Sequence, residues 1–391
     1  MADYVGKFPA YLVESSVEER RNYFKNYIAP HPKLKEAVKD TVFEITSILS
    51  EGIVFVCGPT GVGKMELVKR VIKSLEKLAE PKLSTNKGCI PVVNIEAIAP
   101  AHGSFDFAEL WKNGLKQLKE PLIDKKISYV DEVVIDDAGE RIIISKIKKA
   151  NMLDVLAGTL YFRESSALII NEAHHMLRVA SGKKINSEVD VIKSLANMSK
   201  TPVVLVGTYE LVTYLKDLID SSTDQANRRA EIVEFSRYKY EVPDQVVDFC
   251  KIVNQFLLHM PLSKAPEVLI TGGSDKDFIY YYKHTIGCIG TLKQWLYRAY
   301  NLVLQEEALT LTRKHLERTK ISGRRCEGML QSALDGEKEL QEILSEGEIE
   351  KKLTLKNSNQ PESQKPAEDK GRANKPFTPN PRRDKTGTEQ F

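Results

Sequence analysis

The residues with the clearest chemical purpose are Gly58-Pro59-Thr60-Gly61-Val62-Gly63-Lys64. They follow an apolar run, Ile53–Cys57, and open an amphipathic stretch, ELVKRVIKSLEKL. A glycine-rich loop between a strand and a helix can wrap its N–H groups around phosphate oxygens, and the helix N-terminus adds positive potential. Lys64 would bring a mobile charge to the β- and γ-phosphates. The next position, where a Ser or Thr hydroxyl normally ligates magnesium, is Met65. A thioether is a poor ligand for a hard cation, so phosphate cradling should survive while metal placement suffers.

A second apolar run, residues 167–170, ends in Asn171-Glu172-Ala173-His174. In phosphate-cleaving sites of this layout an Asp helps hold magnesium through its water shell, and the following Glu activates the attacking water. Glu172 takes the water-activating role. Asn171 is neutral and offers Mg2+ only a weak, water-mediated contact. His174 and His175, with no second cluster nearby, read as polar residues at a helix start and not as metal ligands. A third apolar run, residues 202–206, ends in Gly207-Thr208, where Thr208 is either a polar sensor of the γ-phosphate or a simple turn residue. Paired Arg228 and Arg229 in QANRRA fit an arginine finger offered to a neighbouring subunit, without a choice between the two.

These groups need a scaffold that brings strand ends together. IVFVC, PVVNI, ALIIN and PVVLVG are β-branched runs separated by helix-length segments, which predicts a parallel sheet covered on both faces. DEVVIDDAGERIIISK reads as an inserted hairpin or as loops flanking helices. Ahead of the sheet, Ser16-Val17-Glu18-Glu19 has capping-box spacing, and Pro30-His31-Pro32 is a stiff turn before a helical stretch. After it, VVDFCKIVNQFLL, TLKQWLYRAYNLVLQ and CEGMLQSALDGEKELQEIL are amphipathic helices of a small bundle. The fold class is therefore α/β, with four regions expected: 1–50 an N-terminal helical extension, 51–240 the α/β nucleotide-binding core, 241–347 a helical lid, 348–391 a disordered tail.

Composition narrows the function classes. The 391 residues carry a net charge of +3, and 42% are hydrophobic, as in ordinary globular proteins. Residues 356–391 hold eight Lys/Arg against five Asp/Glu, so the rest of the chain is balanced. Nucleic-acid binding by the folded part must therefore use a local patch. Candidates are Lys125, Lys126, Lys146, Lys148, Lys149, Arg178, Lys183 and Lys184. No apolar run is long enough for a bilayer and the start lacks signal-peptide layout, so a cytoplasmic protein without membrane contact is expected. Five dispersed cysteines suggest neither zinc knuckle nor disulfide framework.

Taken together, PHPKLKEAV before IVFVCGPTGVGK, PVVNIEAIAP leading into GSFDFAELWKNGLKQLKEPL, LIINEAHHMLRVASGKKINSEVDVIKSLANMSKTPVVLVGTYEL, and QANRRAEIVEFSRY resemble the TnsC/TniB group of AAA+ transposition regulators, including CRISPR-associated ones. The resemblance spans roughly residues 20–300. It implies a P-loop AAA+ core with helical lid, ATP and Mg2+ as cofactors, and a homo-oligomeric ring or filament around duplex DNA. It also implies bridging of a target-selection protein (TniQ/TnsD-like) to the transposase. The tail KPFTPNPRRDKTG is similar to segments that dock on transposase subunits; an idle solubilising tail is the other reading. In the lid, GCIGTLK has Thr291 where some relatives carry Arg, leaving Lys293 as the nearby cation for the γ-phosphate. With Met65 and Asn171, this leaves hydrolysis impaired, and a non-hydrolysing scaffold or a generic AAA+ ATPase such as a helicase loader as alternatives.

Overall fold

The computed structural model describes residues 6–48, 52–100, 105–135, 141–177, 185–221, 230–270 and 275–344. Contacts divide the chain into two units, Met1–Leu344 and Ser345–Phe391, and every described residue belongs to the first. Residues 345–391, with the KPFTPNPRRDKTG segment expected to dock, thus lie outside the described residues.

A short 3-10 turn, Ala10–Val13, precedes two helices, α1 (Val17–Asn26) and α2 (Pro32–Ser47). Ser16 caps α1 in a capping box with Glu19, as the spacing predicts. His31 caps α2 through its ring nitrogen, with Pro32 in the first turn, where a missing N–H costs nothing. Strand β1 (Ile53–Cys57) then feeds α3 (Lys64–Leu78), α4 (Glu80–Thr85), β2 (Val92–Glu96) and α5 (Phe107–Gln117). The DEVVIDDAGERIIISK segment is a hairpin, β3 (Ile127–Ile135) paired antiparallel with β4 (Arg141–Lys149) as a separate two-stranded sheet. The core resumes with α6 (Met152–Phe162), β5 (Ala167–Asn171), α7 (Ile185–Ser199), β6 (Val203–Gly207), α8 (Glu210–Ser221) and β7 (Ala230–Glu234).

The main sheet has order β2-β5-β6-β1-β7 and every pairing is parallel. Parallel neighbours require crossovers, which cover both faces with helices. β1 shows the consequence: Ile53 and Phe55 enter one core with Trp111, Leu156 and Leu195, while Val54 and Val56 enter the opposite core with Leu34, Leu67 and Val71. A strand buried on both faces must be apolar throughout, which is why IVFVC reads as a continuous run. The carboxyl ends of β1, β5, β6 and β7 consequently meet along one edge, the usual ligand edge of such sheets.

Beyond the sheet the regular elements among the described residues are helices: α9 (Pro243–Leu258), α10 (Asp275–Thr285), α11 (Ile289–Gln305), α12 (Arg313–Thr319) and α13 (Gly323–Leu344). A third core joins α9, α10 and α11 around Trp295, Tyr281 and Tyr300. Phe24 of α1 is fully buried in this core, whereas Leu34 and Ala37 of α2 pack on the sheet. α1 and α2 therefore serve two different cores. No helix of the described residues is long and apolar enough to cross a membrane.

Candidate functional site

The loop after β1 has the geometry of a phosphate cradle. Gly61 and Gly63 sit at φ +82° and +117°, in the region that favours glycine. A Cβ at Gly58 would stand 2.3 Å from the Phe235 carbonyl oxygen, and one at Gly61 would stand 2.1 Å from Thr291 Oγ1. Both glycines are thus required sterically. Pro59 and Thr60 form the turn, closed by Val62 N–H donating to the Pro59 carbonyl at 3.4 Å, and Val62 is buried. Lys64 opens α3, and its ammonium donates to the carbonyls of Gly58 (2.9 Å) and Pro59 (3.1 Å). Burial pushes its pKa down, while the Glu172 carboxylate pulls it up. A cation held by loop carbonyls has donors ready for a stronger anionic acceptor, so the residues fit a phosphate chain. The lid closes directly on this loop: Thr291 N–H donates to the Gly61 carbonyl at 2.9 Å.

The metal side of the site is different. Met65 is 72% exposed. Asn171 ends β5, and its amide donates to Asn94 Oδ1 (2.7 Å) and the Ile95 carbonyl (3.3 Å) across the β2 pairing. The two side-chain positions that would favour magnesium are a thioether and an amide committed to the neighbouring strand. They do not fit a magnesium centre of the usual donor set. Glu172, next to Asn171, has φ +50° and is close enough to raise the pKa of Lys64. Thr208 follows β6, and its buried Oγ1 has no hydrogen-bond partner among the described residues. Thr208 and Tyr209 share a cleft with Pro59 and Thr60 on one wall and Ser332 and Asp335 of α13 on the other.

Lys293 reaches towards α1 beside the phosphate loop. Its ammonium donates to the Phe24 carbonyl and stands 3.7 Å from the Phe24 ring centre and 5.2 Å from that of Phe256. Burial pushes its pKa down to about 7, a trend the ring faces oppose by favouring the cation. It lines a cleft with Ile28, His31, Gly63, Phe235 and Ile289. This cleft adjoins the phosphate loop and is largely apolar, so it suits a flat heterocycle attached to the phosphates. Sequence reasoning missed it, although Pro30-His31-Pro32 was its signal. His31 Nδ1 accepts from Leu34 N–H (3.3 Å), lies 3.2 Å from the Tyr238 hydroxyl, and its ring stacks on Phe235. Burial, then the charges of Arg70 and Lys33, push His31 down to about 4.

The site is braced from behind by α13. Arg237 makes a two-pronged ion pair with buried Glu337 (2.9 and 3.3 Å) and donates to the Tyr282 hydroxyl at 2.8 Å. Tyr209 donates to Glu234 at 2.6 Å, joining the ends of β6 and β7. Neither contact had a sequence signal, because each partner is a lone polar residue far from the other. Arg228 and Arg229 lie outside the described residues, as do Arg178, Lys183 and Lys184. Lys125 ends a short 3-10 turn, Lys126 is paired with Glu120, and Lys146, Lys148 and Lys149 belong to β4.

Residues 48–215 match the AAA domain family, a span that contains the loop, Asn171, Glu172 and Thr208. No curated protein matches the chain in sequence. Among solved structures it is similar to Drosophila ORC bound to DNA, at 13% identity and TM-score 0.42, covering 78% of this chain and 65% of that one. It is also similar to a Walker-type ATPase of Pyrococcus abyssi, at 14% identity and TM-score 0.43 over 84% and 85%. A third is the RuvB Holliday junction branch migration motor of Thermotoga maritima, at 15% identity and TM-score 0.33 over 79% and 72%. The matched domain, the parallel five-stranded sheet and the helical region behind it make this a chain with a P-loop AAA+ ATPase fold, and that fold implies nucleotide binding.

Proposed function

We propose that this chain is an ATP-dependent, DNA-binding regulator of transposition with impaired hydrolysis. The observation that carries the nucleotide part is the pairing of a complete phosphate cradle with a metal side that has a thioether and a neutral amide in place of the usual hydroxyl and carboxylate. Lys64 is held over the loop with its donors available, whereas Met65 is exposed and Asn171 is tied to Asn94. Such a site binds nucleotide and turns it over slowly, so the bound assembly persists. Glu172 remains as the water-activating base, with Thr208 as γ-phosphate sensor and Arg228 or Arg229 as a finger for a neighbouring copy.

The transposition part is supported by the four sequence passages that resemble TnsC/TniB regulators. On that reading copies assemble as a ring or filament on duplex DNA through repeated phosphate contacts, each copy needing only a few cations. The tail would meet transposase subunits and the body a TniQ/TnsD-like target-selection protein. A non-hydrolysing scaffold is the second reading, favoured by the committed amide of Asn171.

The test is phosphate release with ATP, Mg2+ and duplex DNA, beside direct nucleotide and DNA binding. The parent is expected to bind both and release little phosphate, and Met65→Thr with Asn171→Asp to raise release at least about tenfold. A parent turning over at roughly 1 s⁻¹ or faster would overturn the impaired-site reading. Silence of both forms with intact binding would select the scaffold. Failure of the parent to bind duplex DNA with nucleotide present would remove the transposition-regulator reading itself.

A further inference from the structure

Just past β5 the chain gathers three metal-binding side chains within four residues. Glu172, His174 and His175 each offer one ligand atom, and these atoms lie within 4.8 Å of one another. His174 Nδ1 stands 3.5 Å from Glu172 Oε2, and the two imidazole rings are 4.3 Å apart, tilted by 45°. The backbone fixes this grouping. Glu172 takes φ +50°, His175 N–H donates to its carbonyl at 2.9 Å, and a 3-10 turn, Ala173–Leu177, follows. Ala173 and Met176 are buried in the sheet's core and anchor the turn on either side of the histidines. His174 is 4% exposed, against the backbone of Gly207, where an added Cβ would come within 3.1 Å of its Nδ1. The buried Nδ1 of His175 has no hydrogen-bond partner among the described residues. A buried ring nitrogen left unbonded costs free energy unless a ligand occupies it.

We propose that Glu172, His174 and His175 form a binding site for a first-row transition-metal ion of the zinc class. This departs from the sequence expectation that the two histidines are only polar residues at a helix start. Two imidazoles and one carboxylate suit zinc, whereas magnesium demands oxygens. Zinc–ligand bonds of about 2.0–2.2 Å place tetrahedral ligand atoms about 3.4 Å apart, so the cluster closes with shifts of roughly 1 Å. Glu172, with a side chain 38% exposed, has the freedom to supply that movement. Three protein ligands leave the fourth position to water. The site needs no nucleotide and stands independently of the function proposed above. Its consequence for that function is direct: an ion held here takes the carboxylate assigned to water activation, so zinc acts as an inhibitor of turnover.

The probe is Co2+, added to the full chain after chelation, without nucleotide or magnesium. One equivalent is expected to bind with the intense visible bands of a low-coordinate ion, to be displaced by stoichiometric Zn2+, and to resist a large excess of Mg2+. His175→Ala and Glu172→Gln should each weaken Co2+ at least about 100-fold, since even groups one step behind the ligands change affinity 10–100-fold. His259→Ala, outside the cluster, should bind as the parent does. Circular-dichroism melts check that each variant folds, and Glu172→Gln keeps the shape of a partly exposed side chain should His175→Ala unfold. Aqueous-type Co2+ spectra, unchanged affinity in both cluster variants, or thiolate charge-transfer bands pointing to cysteine would each overturn the proposal.

Discussion

The phosphate loop and the strand ends beside it are built from one sheet edge, yet they are finished to different degrees. The loop has each feature its chemistry asks for: glycines where a Cβ would collide, a helix N-terminus, a lysine with its donors turned onto the loop, and a lid hydrogen bond at 2.9 Å. The strand ends keep Glu172 and Thr208 but spend Asn171 on Asn94 and leave Met65 exposed. Binding needs a cradle of backbone donors, whereas turnover needs a hydroxyl and a carboxylate at two additional positions. One half can therefore decay without the other. The chain teaches that a recognisable nucleotide loop establishes the first property alone.

The strongest way to break this contrast is at Lys64. Lys64→Ala removes the cation that would contact phosphate oxygens, and charge-assisted bonds contribute about 1.5–3 kcal/mol each. Nucleotide affinity should fall at least about 100-fold, measured by titration of a fluorescent nucleotide. An unchanged affinity would place the nucleotide elsewhere and dissolve the comparison.

His31 sharpens the binding half through pH. Its folded pKa of about 4 lies below the unfolded value of 6.5, so the unfolded chain binds the extra proton between these limits. Stability from this group is complete above pH 6.5 and is lost as pH falls towards 4, by at most about 3 kcal/mol. His31→Asn, which keeps a helix-capping side chain, should flatten that part of the acid profile in denaturant melts at pH 7 and 4.5. An identical slope in parent and variant would mean the ring is not held neutral by the fold.

At the strand ends, Tyr209→Phe removes the 2.6 Å bond to Glu234. Hydrogen bonds to charged groups contribute about 1.5–3 kcal/mol, so chemical denaturation should show a loss near the lower figure, about 1.5 kcal/mol. Nucleotide affinity should stay within about threefold of the parent, because Tyr209 braces the strands and does not touch the loop's donors. A parallel loss of affinity would join the two halves into one unit.

How much of this was legible follows from where each signal sits along the chain. The phosphate loop and the strands around Phe55, Leu168 and Val204 are contiguous runs, so local pattern was enough. The hairpin was legible as one of two readings. β7 was not, because AEIVE is an edge strand with a single buried side chain, Val233, and its charged residues hide the pattern. Short α12 escaped for the related reason that seven residues carry little periodicity. Lys293 was recognisable as a cation of the lid, but its contacts come from Phe24, whose position depends on how α1 packs against α11. The Arg237–Glu337 pair spans 100 residues and depends on the same kind of tertiary placement. Spacing reveals chemistry carried by one segment; it is silent where two distant segments complete each other.

The smallest effect tests whether the strand end has adapted to its amide. Asn171 donates to Asn94 Oδ1 and to the Ile95 carbonyl. Asn171→Asp replaces that donor with an acceptor. Asn94 can rotate its amide and donate instead, which recovers the 2.7 Å contact, but the Ile95 carbonyl is then left facing a carboxylate oxygen. The net loss should be about 1 kcal/mol, read as a lowered denaturation midpoint in buffer without divalent ions. Added Mg2+ with nucleotide should recover it if the restored carboxylate meets the metal. A variant as stable as the parent in plain buffer would show that the β2–β5 pairing is indifferent to the side chain. The amide would then be a simple loss of charge, with nothing in the strand end rebuilt around it.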